Sequence, residues 1–386
     1  MITGGFSYLA VIVFFASLVI VAEKNSKGKF FKYVPAIVVI YFVVMVLATF
    51  KVWEKTDEVT MYYKMMKGNL LPAMIFLMLL RCDLRRIMKL GPKMLLGFFA
   101  AAVSIGVGFV VTYAIFKGMY TADTWKAFAA LAGSWMGGTG NMAAVQGALN
   151  VPDSSMGYTL LIDSIDYAIW VMILLGLVPF GKIFNKWTKA DTSIIDEVGE
   201  QLAATQENIR KNIEFSDMML LIGASLFVSA VGQSLAAILP KTSFITGTTW
   251  TVIIATIAGT ACAMTPLGKL PGSSQISNVM LYTIVGLIAS RANFAELGQA
   301  PLYIISGFVI LAIHGIILVT VAKIFKLDLF TCGIASLANI GGVASAPILA
   351  ASYSEALIPI GVLMAMLGYI IGTGGGLLVG KILSIM

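Results

Sequence analysis

Long apolar runs alternate with short polar turns along this chain. Runs at 6–22, 34–50, 70–82, 93–117, 157–181, 217–239, 246–266, 276–290, 301–323 and 356–381 reach or approach the roughly 20 residues a membrane span requires. They predict ten transmembrane helices. Two further runs break the pattern. Residues 127–149 read AFAALAGSWMGGTGNMAAVQGAL, and residues 329–352 read LFTCGIASLANIGGVASAPILAAS. Both carry Gly, Ser, Asn or Thr in mid-run. A glycine costs a helix about 1 kcal/mol relative to alanine. Broken backbone at membrane depth persists only where protein buries it or where it lines a cavity.

The pattern also repeats. Gly68-Asn69-Leu70 aligns with Ser277-Asn278-Val279, Arg81 with Arg291, Pro92 with Pro301, Phe116-Lys117 with Phe325-Lys326, and Gly137-Gly138 with Gly341-Gly342. The separations run from 204 to 210 residues in constant order, the mark of an internal duplication. Charge orients the copies. If each broken run enters and leaves on one side, 17 of the 26 Lys and Arg fall on the inner side. If both runs cross, only 11 do. The positive-inside rule selects the first arrangement.

The fold class expected is therefore an all-α polytopic membrane protein. It has two inverted repeats of five transmembrane helices, each with a Gly-rich re-entrant hairpin. The first repeat is 1–186, with its hairpin at about 127–149. The second is 213–386, with its hairpin at about 329–352. Between them, 187–212 reads as a cytoplasmic linker with a short helix from about Ser193. The first apolar run has its basic residues behind it, at Lys24, Lys27, Lys29 and Lys32. It reads as a retained first helix with the N-terminus outside, in a multi-pass cell-membrane protein.

Composition agrees and narrows the class. Of 386 residues, 59% are apolar and 12% are charged, against roughly 45–50% and 25% in soluble proteins. Mean hydropathy is +0.93. So little charge excludes a cytosolic enzyme and a disordered chain. The net charge of +7 belongs to loops facing anionic lipid rather than to nucleic-acid binding. Three separated cysteines and one histidine offer no zinc spacing. No cofactor is expected.

The candidate chemistry lies at the two hairpin tips. Gly137-Gly138-Thr139-Gly140-Asn141, with Ser134 before it, faces Asn339-Ile340-Gly341-Gly342-Val343-Ala344-Ser345. Glycines let backbone approach a ligand. Half-helix N-termini hold anions, and unwound carbonyls hold cations. Asn, Thr and Ser add the oxygens that hard cations such as Na⁺ prefer. We expect substrate binding at Ser134, Gly137, Gly138, Thr139, Gly140, Asn141, Asn339, Gly341, Gly342 and Ser345. Asp163 and Asp166 are the embedded acids. Three residues apart, they share one helical face and predict a coupling-ion site together with Thr139 and Asn141.

Blander readings remain for other residues. Gly372–Gly376 on the last helix suits close helix packing. Arg81 beside Asp83 suits interfacial anchoring and a local ion pair, or a partner for a substrate carboxylate. His314 suits an interior hydrogen-bonded residue or a proton relay. Asn69, Asn278, Gln233 and Gln275 suit bonding between helices. An intramembrane aspartyl protease needs acids on two facing helices, and here both sit on one. No nucleophile elbow stands out for a serine enzyme. A passive channel fits paired broken hairpins less well than alternating access does.

At GSWMGGTGNMAAVQ (133–146) and SLANIGGVASAPILAA (336–351) the chain resembles the uncharacterised membrane family DUF819. That family is placed near the glutamate:sodium symporters and 2-hydroxycarboxylate transporters. The resemblance implies inverted five-helix repeats, an elevator mechanism, a homodimer and often Na⁺ coupling. Those relatives carry a GGxG tip in both hairpins. Here the first tip keeps it and the second reads Gly341-Gly342-Val343-Ala344. The function expected is secondary active transport, as Na⁺-coupled symport of a small polar or anionic solute such as an amino acid, small peptide or organic acid. Cation/proton antiport is the second reading, and an intramembrane enzyme the reading from another class.

Overall fold

The computed structural model describes residues 1–26, 30–191, 212–242, 245–292, 300–354 and 357–386. The linker helix expected from Ser193, together with Lys27, Lys29 and Asn293, lies outside the described residues. Apart from an isolated β-bridge between Ile2 and Trp53, the regular structure among the described residues is helical. The protein is an all-α membrane protein.

The first half builds α1 (Gly5–Asn25), α2 (Ala36–Thr49), α3 (Asp57–Leu79), α4 (Gly91–Phe116), the pair α5 (Thr124–Gly137) and α6 (Thr139–Leu149), and α7 (Met156–Leu177). The second half builds α8 (Phe215–Ile238), α9 (Gly247–Ala263), α10 (Ser273–Ala289), α11 (Ala300–Phe325), the pair α12 (Leu329–Ile340) and α13 (Gly342–Tyr353), and α14 (Ile358–Ser384). Six helices among the described residues are long and apolar enough to cross a membrane.

Four of the ten apolar runs give something else. The helix α2 has 14 residues, roughly 21 Å at 1.5 Å per residue, against a hydrocarbon core of about 30 Å. At 17 residues each, α9 and α10 are also short. The run 70–82 is only the second part of α3, which starts at Asp57 and carries Lys64 and Lys67. Thr56 caps it by accepting from Val59 N at 3.2 Å. Asp57 and Glu58 then occupy the first turn, where the helix dipole favours acids. A capped, amphiphilic first half is invisible to an apolar-run criterion.

Sequence periodicity decides which faces meet lipid. On α4, Phe99, Val103, Val107, Val111 and Ile115 stand exposed at every fourth residue. Gly97, Ala101, Ser104, Ile105 and Gly108 are buried on the other side. Small inner residues let α11 come close. A Cβ on Gly108 would lie 2.9 Å from the Ile310 carbonyl oxygen.

The helices sort into two groups. In one, α1, α2 and α3 pack with α8, α9 and α10. In the other, α4 and α11, both helix pairs, α7 and α14 pack together. The groups meet where α3 and α9 touch α6 and where α2 touches α7. Two helix pairs that join the halves, α3 with α10 and α4 with α11, run antiparallel. Arg81 after α3 reaches Ser274 at the start of α10. Arg291 after α10 reaches Thr60 at the start of α3, at 3.0 Å. Between α4 and α11, Ser104 meets His314 and Gly108 meets Ile310.

Candidate functional site

Both broken runs fold back on themselves. Gly133 on α5 lies so close to α6 that a Cβ would sit 2.9 Å from the Val145 side chain and 3.1 Å from the Asn141 carbonyl oxygen. Gly333 on α12 likewise faces the Leu349 side chain on α13. The turn between α5 and α6 is Gly138 at φ 88°, ψ 172°, a region essentially reserved for glycine. In the second pair Gly342 turns at φ 60°. In each Gly-Gly pair the second glycine supplies the positive φ.

The tips are held by the last helix of each half. Tyr369 on α14 lies over Gly138, and the Tyr167 ring on α7 lies against Gly341. Tyr167 stands in Asp166-Tyr167-Ala168-Ile169 on α7, and Tyr369 in Gly368-Tyr369-Ile370-Ile371 on α14. Each covers the tip contributed by the other half. The glycine stripe of α14 lies directly on the first pair. A Cβ on Gly372 would lie 2.7 Å from Gly137 Cα, and one on Gly376 would lie 2.8 Å from the Ala129 carbonyl oxygen. Thr373 on the same helix donates to Asn141 Oδ1 at 2.6 Å.

Both tips open into one cavity of about 280 Å³. It lies along the seam between the two helix groups. Ser134, Gly138, Thr139, Gly140, Asp163, Gly341 and Gly342 line one wall, with Tyr167 and Tyr369. Val38 on α2, Met78 and Arg81 from α3, and Ser274, Ser277 and Asn278 on α10 line the other. Asp163 Oδ1 accepts from Ser134 Oγ at 3.0 Å and from Trp135 Nε1 at 3.0 Å. Its Oδ2 takes no hydrogen bond among the described residues. A carboxylate aimed this way, beside two hydroxyls and the broken backbone of two tips, presents oxygens on several sides.

Other expected site residues stand elsewhere. Asn141 is not in the cavity wall. Its Nδ2 donates to the Gly137 carbonyl at 2.6 Å and its Oδ1 accepts from Thr373, so the side chain is spent on closing the tip. Gly137 is turned toward Asn141 and the Gly368 carbonyl. Asn339 donates to Ala335 O at 2.9 Å and Phe98 O at 3.3 Å from a buried position. Ser345 lies behind the second tip, close to Gly341. Asp166 departs most. It is fully buried, its oxygens have no hydrogen-bond partner among the described residues, and it lies against Gly307 on α11. Three residues turn a helix by about 60° from alignment. That angle parts Asp163, which meets the cavity, from Asp166, which meets α11. A cation shared between the two acids is not what the geometry presents.

Some site residues escaped sequence reasoning. Tyr167 and Tyr369 sit within apolar runs and carried no signal that singled them out. Asn278 carried the polar signal but had an adequate reading between helices, and Arg81 reads both as an interfacial anchor and as a partner for a substrate carboxylate. Asp83, the ion-pair partner expected for Arg81, instead pairs with Arg85 in a fork at 2.9 Å on both oxygens. Arg85 beside it holds the Asp83 carboxyl below its ordinary range. Arg81 is thereby left to the cavity mouth. Asp153 was overlooked. It accepts from Tyr63 at 2.6 Å, Gln146 at 2.7 Å and Lys67 at 3.2 Å, tying the base of the first pair to α3. His314 sits buried between Ser104 and Ser336, at 2.7 Å from each.

Comparison with known proteins matches residues 10–386 to a family described as "Protein of unknown function (DUF819)". The chain is also similar to the "Uncharacterized membrane protein YjcL" of Bacillus subtilis (strain 168). The two are 23% identical over 336 residues, which cover 83% of each chain.

Proposed function

We propose that this chain, which belongs to the DUF819 family of membrane proteins, is a secondary active transporter, working by Na⁺-coupled symport of a small polar or anionic solute. One observation carries this reading. Two glycine-broken tips, one from each half of the chain, converge with Asp163 on a single cavity between two helix groups. Broken helices facing a cavity at a repeat interface are how transporters hold a solute and its coupling ion.

The antiparallel run of α3 with α10 and of α4 with α11 supports inverted repeats. Asp163, Ser134 and Thr139 supply oxygens of the kind Na⁺ takes. The group holding both tips is the moving part, and the group of α1–α3 with α8–α10 is the scaffold and the homodimer surface. Movement of one against the other carries the cavity across the bilayer, an elevator. The excess of Lys and Arg supports an Arg81 mouth and a 187–212 linker on the cytoplasmic side, with the N-terminus outside.

Thermal unfolding of the detergent-purified protein tests the reading. The panel is amino acids, dipeptides and organic acids, each with and without Na⁺. A ligand at 100 times its Kd stabilises the folded state by about 2.7 kcal/mol. A solute that raises the midpoint only with Na⁺ present supports symport. A second reading, cation/proton antiport, is favoured by Asp166, a buried acid one turn from the cavity acid. It predicts that Na⁺ or pH alone moves the midpoint and that no solute adds to it.

A further inference from the structure

Arg81 and Arg291 occupy the same place in the two halves, two residues beyond the end of α3 and of α10. Each reaches a hydroxyl at the start of the partner helix, Ser274 for Arg81 and Thr60 for Arg291. Neither forms an ion pair among the described residues. The acid next to Arg81 is already taken by Arg85. From Thr60 to Arg81 is 21 residues, roughly 31 Å at 1.5 Å per residue, about the thickness of a hydrocarbon core. The two guanidinium groups therefore mark opposite ends of one antiparallel helix pair.

Their surroundings differ. Arg81 is exposed and lines the cavity that holds both tips. Arg291 is half-buried, and its guanidinium lies 4.7 Å from the centre of the Tyr63 ring. The same residue is thus open on one side and covered on the other. A guanidinium presents several donors in a fixed fork that matches a carboxylate, and its charge cannot be titrated away. Among the residues lining the cavity, Arg81 is the cation and Asp163 the anion. A carboxylate solute on Arg81 and a cation on Asp163 balance both charges.

We propose that Arg81 is the residue that receives a carboxylate group of the transported solute. Arg291 is its counterpart at the opposite entrance, closed here by Tyr63 and Thr60. This rests on the transport reading and names its substrate class: small mono- or dicarboxylates rather than neutral or cationic solutes.

The test uses the full-length protein and two readouts. First, thermal midpoints are measured with L-glutamate, L-aspartate, L-malate, succinate and inorganic phosphate, and with succinamide and L-malamide as counterparts that carry no carboxylate, all in Na⁺. Second, arginine modification by p-hydroxyphenylglyoxal is read residue by residue by mass spectrometry. We expect at least one carboxylate to raise the midpoint while its amide does not. In Arg81→Gln its apparent affinity should fall at least tenfold, with partial recovery in Arg81→Lys. Arg86→Gln, an exposed neighbour outside the cavity, serves as control. Without ligand, Arg81 should be modified at least ten times faster than Arg291, and the stabilising carboxylate should protect Arg81.

An amide that binds as well as its acid overturns the proposal. So does a carboxylate that keeps its affinity in Arg81→Gln, a panel in which only phosphate protects Arg81, or one in which nothing does. Equal modification of both arginines overturns the assignment of Arg291. Uptake of the stabilising carboxylate into proteoliposomes separates the two levels. Binding lost in Arg81→Gln with no uptake by the wild type refutes transport and leaves Arg81 as the carboxylate site. Uptake that Arg81→Gln leaves intact does the reverse.

Discussion

Asp163 and Asp166 are three residues apart on one helix and meet different surroundings. Asp163 keeps one oxygen on Ser134 and Trp135 and turns the other to the cavity. On our reading it holds the coupling cation. Asp163→Asn should then abolish stabilisation by Na⁺ while leaving a folded protein, which titration of the thermal midpoint against Na⁺ will show. The tip glycines are sensitive for separate reasons. A Cβ on Gly342 meets nothing within 4 Å, so only its positive φ resists substitution. Gly342→Ala should cost about 1–2 kcal/mol, the penalty of a left-handed L-residue. Gly341→Ala brings a Cβ onto Ser345 and the Tyr167 ring, so it should unfold at lower temperature than Gly342→Ala. At the loop, Asp83 is held below its ordinary range by Arg85. A lowered carboxylate stabilises the fold above its unfolded pKa and loses that contribution as pH falls through the folded value. Wild type should therefore exceed Asp83→Asn at neutral pH, and their midpoints should converge in acid. Carboxylate binding should be unaffected, because Asp83 serves Arg85 and not Arg81.

At the scale of elements, the first helix pair is fastened at both ends. Its tip is closed by Asn141 and Thr373, and its base is tied through Gln146 and Asp153 to Tyr63 and Lys67 on α3. Thr373→Val removes the donor and leaves Asn141 Oδ1 buried without a partner, at a cost of about 1–3 kcal/mol. Chemical denaturation should find that loss with little change in slope. The apolar runs showed that 127–149 and 329–352 were exceptional, because the breaking glycines are written in them. They did not show which side chains face the cavity. A helix of mixed small residues has no dominant apolar face, and Asn141 reads equally as a ligand or as a strut. Its role is settled by Thr373, more than 200 residues away in sequence.

At the scale of the whole molecule, two groups of helices meet along a seam that holds the cavity. The antiparallel run of α3 with α10 is open to direct test. With Cys262 replaced by Ala, a short bis-maleimide should join Arg81→Cys to Ser274→Cys, and separately Thr60→Cys to Arg291→Cys. Parallel halves would place those pairs a membrane thickness apart and join neither. Both pairs lie within the group of α1–α3 and α8–α10, so on the elevator reading a saturating transported solute should leave both yields unchanged.

Membership of the membrane class, helical content and the two broken runs follow from the sequence alone. They depend on composition, run length and glycine placement, which act locally along the chain. The position of the first turn of α3 needed the cap at Thr56, a local feature that hydropathy does not weigh. The parting of Asp163 from Asp166, the retirement of Asn141 into the tip and the freeing of Arg81 by Arg85 were decided by tertiary structure. So was the placing of Tyr167 and Tyr369 over the tips of opposite halves. Each depends on which neighbour arrives from a distant part of the chain, and on whether a glycine such as Gly307 or Gly372 leaves room for it.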